Sequence, residues 1–305
     1  MHYQNITNDR QFKAVTGKSR SEFNELLKSF ANAYEDIFGI LSDHIAQGNH
    51  EHKLKTYGDC LLFVLYQLKT NLTYDALGAT FDMSGSVAHV NFTKYSKVLE
   101  ITLKRKGVLP QREFKSKKEF EKTFKDEKEI IIDGEEQPIQ RPKDADLQKD
   151  MFSGKKKLHT DKTLLMTNSK KRIYYISYIY CGKEHDFSIL KTEFPAAKNW
   201  FSKFTVIIDL GFQGFEKLYK SQQLFIPFKR KRTKKGEVPV ELTEEQKEHN
   251  KSVSKIRIYV EHGIGGMKRY RILGYKNRMK NYFLKNSIIG ICAGLWNLKL
   301  QNSQC

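Results

Sequence analysis

The sequence predicts an α/β protein in two parts, an all-α segment followed by a mixed sheet with flanking helices. Three observations predict it. Apolar residues recur at helical spacing up to about residue 107, strand-like runs rich in Ile, Val and Tyr take over from about residue 128, and acidic residues close two of those runs. A chain of 305 residues holds one large or two ordinary domains, and 20 Phe with 15 Tyr supply its core.

In the first part, Ser19-Arg20-Ser21-Glu22 has capping-box spacing and opens an amphipathic helix with Phe23, Leu26, Leu27 and Phe30 on one face. A second helix is predicted from about Asp59 to Lys69. Thr73 to Phe81 reads as a short helix, Asp82-Met83-Ser84 as a tight turn, and Gly85 to about Arg105 as a longer helix capped by Ser84. Short helix, three-residue turn and long helix make a helix-turn-helix pattern near 57–107, though any three-helix bundle has such turns. Read as a DNA reader, it would present Ser86, His89, Asn91 and Lys94 to base edges.

Residues 108–127 read as a charged connector. Strands are then predicted at Lys128–Asp133, Leu158–Thr167, Arg172–Tyr180, Val206–Asp209 and Leu224–Pro227, with a hairpin at Asn168-Ser169. Helices are expected near Phe187–Phe201, interrupted at Pro195, and near Phe215–Ser221. Thr243-Glu244-Glu245-Gln246 is a second capping box, starting a helix that ends at Gly263. A last apolar helix, Phe283 to Leu300, is expected to pack on the sheet. Strands, hairpin, helix, strand and closing helix, with acids at the ends of the first and fourth strands, describe a ribonuclease-H-like fold. The reading therefore divides the chain into a helical DNA-binding domain at 1–120 and a catalytic domain at 126–305, with an insertion near 229–255.

Lys and Arg number 54 against 35 Asp and Glu, a net charge of +19 that implies a polyanionic partner. No apolar run reaches the length of a membrane span, and Met1-His2-Tyr3-Gln4-Asn5 lacks a signal pattern, so the expected polyanion is nucleic acid and the expected location cytoplasmic. Cys60, Cys181, Cys292 and Cys305 have no metal-binding spacing. Lys229, Arg230, Lys231 and Arg232 open a run with six basic residues in seven, which reads as a solvated surface or a DNA-backbone clamp.

Asp133 follows Ile130-Ile131-Ile132, and Asp209 follows Val206-Ile207-Ile208. Singly, each is also ordinary turn chemistry beside a glycine. Together with Glu261 on the helix after the basic run, they suit a two-metal phosphoryl-transfer site. Their hard oxygens favour Mg²⁺ or Mn²⁺, two ions about 3.5–4 Å apart. Arg257 shares a helix face with Glu261, and Lys268 follows seven residues later.

Arg257-x-x-x-Glu261-x-x-x-x-x-x-Lys268 resembles the end of the signature of DDE transposases of bacterial insertion sequences. His249-Asn250-Lys251 through His262, Asp133 through Pro142, His185-Asp186 and Ile208 through Phe212 are similar to the branch related to PIF/Harbinger transposases. Where the broader signature has a tyrosine, this chain has Ser254. The resemblance implies metal-dependent cleavage at terminal inverted repeats and joining to target DNA. It implies Asp133, Asp209 and Glu261 as catalytic metal ligands, Arg257 and Lys268 on phosphates, double-stranded DNA as partner, and a dimer or higher assembly on DNA. The alternative is a DNA-binding regulator derived from a transposase, without catalysis.

Overall fold

The computed structural model describes residues 1–47, 52–230 and 241–303, which divide into two compact units. The first comprises Met1–Leu109 and Met267–Ser303, and the second Pro110–Gly266.

The first unit is all helix: α1 (Asp9–Thr16), α2 (Arg20–Phe38), α3 (Leu41–Gln47), α4 (Tyr57–Thr70), α5 (Tyr74–Phe81) and α6 (Gly85–Arg105), joined near the end of the chain by α12 (Arg271–Gly274) and α13 (Tyr282–Asn302). The predicted capping box on α2 is formed, with the Ser19 hydroxyl accepting from the Glu22 amide and the Glu22 carboxylate accepting from the Ser19 amide. Helix α6 is the hub, packing on α2, α4, α5 and α13.

The expectation that the last helix packs on the sheet is corrected. Helix α13 buries residues on all sides, among them Ile288, Ile291, Cys292, Leu295 and Leu298, and belongs to the helical unit against α6. A helix apolar all round needs neighbours on every side, and the helical unit supplies them. Gly294 lies close to Leu103 and Leu109, and Asn297 Nδ2 donates to Val108 O at 2.9 Å.

The short helix and long helix expected at 73–105 are present. Thr73 caps α5 and Ser84 caps α6, while Asp82 takes the left-handed conformation, φ 57°, at the end of α5. A Cβ at Gly78 would overlap Met83 O, so glycine allows α5 to press against its own turn.

The second unit contains α7 (Lys117–Thr123), β1 (Glu129–Pro138), α8 (Ala145–Met151), β2 (Phe152–Ser153), β3 (Leu158–Thr167), β4 (Ile173–Ile176), β5 (Tyr180–Cys181), α9 (Asp186–Glu193), β6 (Thr205–Ile207), α10 (Phe215–Leu218), β7 (Gln223–Phe225) and α11 (Glu244–Met267), the last running one residue beyond the unit. The sheet order is β2-β3-β1-β6-β7, with β4 and β5 also on β3. Strand β3 is antiparallel to β1, β4 and β5, whereas β1, β6 and β7 are mutually parallel. The chain is thus mixed α/β with a mixed sheet.

Alternation along the strands sorts the side chains to two faces. Ile130, Ile132, Val206 and Ile208 meet an aromatic core that includes Phe120, Phe124, Phe194 and Trp200. The segment expected as a connector therefore supplies core, through Phe120 of α7 and Phe124 after it. Ile131 and Ile207 face the other way, onto Val253 and Val260 of α11.

Three strand and helix limits differ from expectation. Strand β1 runs through Asp133-Gly134 to Pro138, because β3 continues to pair with it from Asp133↔Leu165 to Pro138↔Thr160. The expected strand at 172–180 is split, since Ser177 turns to pair its amide and hydroxyl with Leu164. Helix α11 passes Gly263, where packing of Val253, Val260 and Ile264 outweighs the low helix propensity of glycine.

One buried charge stands out in the helical unit. Lys18 is 1% exposed, and burial pulls its ammonium down to about 8. A lowered lysine pKa costs stability at neutral pH, and that stability returns as pH rises through 8 toward 10.5. Lys18→Met should therefore raise stability at pH 7 by on the order of 1–3 kcal/mol. Thermal melts check this, and a lower Tm would contradict it.

Candidate active site

The parallel register of β1 and β6 builds the site. Ile131 pairs with Ile207, so Asp133 and Asp209 each stand two residues beyond the paired isoleucines, side by side on the α11 face. Asp133 is still within β1, while Asp209 follows the end of β6 and caps a short 3₁₀ turn at Leu210–Phe212.

Each carboxylate is held in the same way. Asp133 Oδ1 accepts from the Gly134 amide at 2.8 Å, and Asp209 Oδ1 accepts from the Gly211 amide at 2.7 Å. The other oxygens turn to one guanidinium, with Arg257 Nη2 3.1 Å from Asp133 Oδ2 and 3.8 Å from Asp209 Oδ2. All three side chains are mostly buried. Arg257 reaches them from α11, and Val253 and Val260 of that helix pack on the same sheet face.

Glu261 lies one turn beyond Arg257 on the same side of α11 and is exposed. Neither partner of Arg257 is Glu261. Among the described residues, no three acidic, histidine or cysteine side chains are close enough together to enclose an ion. Arg257 instead places its positive charge against both aspartates, where sequence reasoning expected a phosphate contact. The two convergent carboxylate oxygens are a hard-donor set around a position already held by a cation, which fits a divalent ion.

A residue given no role at the outset joins them. Asp186, the first residue of α9, packs its carboxylate against Gly134 and Gly211 and is close enough to affect Asp133. Only its place in the His185-Asp186 match gave a hint of it. Asp186 and Asp209 also line a cleft of about 700 Å³ with Lys155, Lys162, Lys183 and His185.

The residues expected on DNA are spread more widely. On α6, Asn91 Nδ2 donates to Met83 Sδ at 3.5 Å, and Lys94 donates to Tyr34 Oη at 3.1 Å over the Tyr34 and Phe38 rings. Both are therefore turned into the helical unit. Ser86 and His89 are exposed beside Val87 and Val90, 47% and 62% exposed, which sequence reasoning passed over. His89 also makes an edge contact with Tyr74. Lys229 and Arg230 are exposed, with Gln213 and Glu241 as partners, and Lys231 and Arg232 lie outside the described residues. Lys268 follows α11 and belongs to the helical unit.

Residues 132–297 match the family described as DDE superfamily endonuclease. The chain belongs to this endonuclease family. It is also 31% identical over 298 residues, 95% of each chain, to a probable transposase for insertion sequence element IS702 from Microchaete diplosiphon. No solved structure matches it. The matched region starts one residue before Asp133 and includes Asp186, Asp209, Arg257 and Glu261, so the geometry above lies inside the endonuclease match.

The electrostatics of this endonuclease site have a consequence for pH. Burial pushes the Asp133 carboxyl up to about 6, opposed by Arg257 and the Gly134 amide and reinforced by Asp209 and Asp186. A carboxyl raised in the fold contributes stability below its unfolded pKa, and that contribution disappears as pH rises through about 6. Without divalent cations, the wild type should lose on the order of 1 kcal/mol relative to Asp133→Asn between pH 5 and pH 8. Denaturant titrations in a chelator measure it, and a pH-independent difference would contradict the assignment.

Proposed function

We propose that this endonuclease is the transposase of a bacterial insertion sequence, cutting DNA at the element's terminal repeats and joining the freed ends to target DNA. The observation that carries the reading is the pair Asp133 and Asp209, side by side at neighbouring parallel strands and bridged from the helix that bears Glu261. The IS702 relative, matched over nearly the whole chain, supports it. The sheet also supports a ribonuclease-H-like catalytic unit, with antiparallel β4, β3 and β1 followed by parallel β6 and β7. The quoted segments favour the branch related to PIF/Harbinger transposases. A regulator without catalysis has no need for paired buried carboxylates, which cost stability.

Asp133 and Asp209, with Glu261 one turn from Arg257, are the residues that would hold Mg²⁺ or Mn²⁺. Such ions, when bound, supply Lewis acidity and charge neutralisation at the phosphoryl group. The chain's own part is orientation. The Gly134 and Gly211 amides fix one oxygen of each aspartate and leave the other free to turn inward. Arg257 keeps the two carboxylates compatible with folding, and its planar guanidinium also suits a two-pronged contact to a DNA phosphate. Lys229, Arg230, Lys231, Arg232 and Lys268 would add phosphate contacts that carry no sequence information.

Sequence recognition falls to the exposed start of α6, with Ser86, Val87, His89 and Val90 toward the bases in place of the inward-turned Asn91 and Lys94. Holding two DNA ends together calls for a dimer or higher assembly.

Two experiments test this reading. Asp133→Ala, Asp209→Ala and Glu261→Ala should each abolish nicking of terminal-repeat DNA by the full chain with Mg²⁺ or Mn²⁺, while gel-shift affinity stays within a few-fold. Retained nicking in all three would defeat the reading. For recognition, thymine methyl groups are the natural partners of exposed valines in the major groove. Replacing thymine by uracil in the repeat should weaken binding by the wild type but not by a Val87→Ala/Val90→Ala double variant. The full chain is required, because a fragment ending near residue 120 would leave the side of α6 that packs on α13 uncovered. Equal loss in both proteins would place base reading elsewhere.

A further inference from the structure

The charge of the chain is unevenly spread. Glu261 is its last acidic residue, and eight Lys and Arg follow it. Four of them, Lys276, Arg278, Lys280 and Lys285, lie between α12 and the first turn of α13.

The same segment exposes aromatic rings. Phe283 is 82% exposed, more than any other large apolar side chain among the described residues, and Tyr275 and Tyr282 are exposed as well. The rings of Tyr282 and Phe283 meet edge to face, with centroids 6.0 Å apart at 80°. Local structure holds this pair outward. The Asn281 side chain caps α13 by accepting from the Leu284 amide at 3.0 Å, and Leu284, the neighbour of Phe283, is buried. Buried Asn286 donates to Tyr282 O at 3.0 Å. The loop before the helix is pinned too. Buried Asn277 accepts from the Met279 amide at 2.8 Å, and Arg278 donates to Asn71 O at 2.8 Å.

Singly exposed apolar side chains are ordinary, and so are surface lysines. A ring pair on a fixed backbone, in a segment with cations and no acid, is more specific. Cations meet phosphates, and an aromatic face stacks on a base of any identity. A second copy of the chain fits this surface poorly. A two-fold contact would bring Lys276, Lys280 and Lys285 against their own copies, and like charges repel. In a paired duplex the bases stack on one another, so an aromatic ring needs a base that has left its partner.

We propose that Tyr282 and Phe283 form a stacking platform for an unpaired DNA base, with Lys276, Lys280 and Lys285 on the adjoining phosphates. The inference rests on reading the chain as an enzyme that cuts and joins DNA, since strand breakage creates ends where a base loses its neighbours. Phe283 offers the open ring face, Tyr282 braces it from the side, and the lysines hold the backbone without reading sequence.

Binding of the full chain to two probes tests this, by fluorescence anisotropy in a chelator so that no strand is cut. One probe is a blunt duplex, and the other is the same duplex with a short oligothymidine overhang. The wild type should prefer the overhang by about tenfold, within the range that base–aromatic stacking supplies. Phe283→Ala should remove that preference and leave both Tm and blunt-duplex affinity unchanged, because the ring is exposed. Phe283→Trp should keep the preference. The double variant Lys276→Gln/Lys280→Gln should weaken both probes alike and flatten the salt dependence. A wild type that binds both probes equally, or a Phe283→Ala variant that keeps the preference, overturns the proposal. So does a Phe283→Ala variant that binds both probes as the wild type does but loses self-association or binding to anionic vesicles, which would assign the rings to a second copy or to a lipid surface. If the wild type binds neither probe, the DNA-processing reading itself has failed, and the platform falls with it.

Discussion

Two carboxylates held side by side in a mostly buried place repel each other, and the catalytic unit is organised around that repulsion. The register Ile131↔Ile207 makes Asp133 and Asp209 neighbours, and alternation turns both to the same face. Two devices then offset the cost. Backbone amides at Gly134 and Gly211 satisfy one oxygen each, and Arg257 serves the other two, while burial works against them by raising the Asp133 carboxyl. Neither device removes the negative potential, and a site that remains negative after its own cation is counted is prepared for more positive charge.

The helix α11 carries much of this arrangement. Its packing on Ile131 and Ile207 is ordinary hydrophobic burial, and that burial aims Arg257. Its first half is pinned to the strand side by His249, whose ring bonds to Ile226 O, and by Asn250, which holds both the amide and the carbonyl of Phe228. The segment quoted as His249-Asn250-Lys251 through His262 is thus one rod that fixes the end of β7 at one end and meets the acids further along.

Much of this was legible in the sequence because it depends on local chemistry. Continuous apolar runs marked β1 and β6, the expected hairpin at Asn168-Ser169 marked β3, capping boxes marked the starts of α2 and α11, and Thr73 and Ser84 marked the starts of α5 and α6. What escaped depends on partners far away in the chain. The position of α13 follows from its all-round apolarity, which does not name the neighbour. Lys94 looked like a DNA contact by spacing, yet Tyr34, 60 residues away, takes its ammonium. Asp186 was invisible because the gap it fills is made by glycines 52 and 25 residues from it, and a missing side chain leaves no pattern.

The central claim is the proposal that Asp133 and Asp209 together would hold a divalent cation, their charge compensated in the fold by Arg257. A crystal soaked with Mn²⁺ tests it directly through anomalous scattering. The account predicts a peak within ligand distance of both Asp133 and Asp209, with the Arg257 guanidinium withdrawn from them. Arg257 still seated on both carboxylates, with no Mn²⁺ peak beside them at saturating metal, would contradict it.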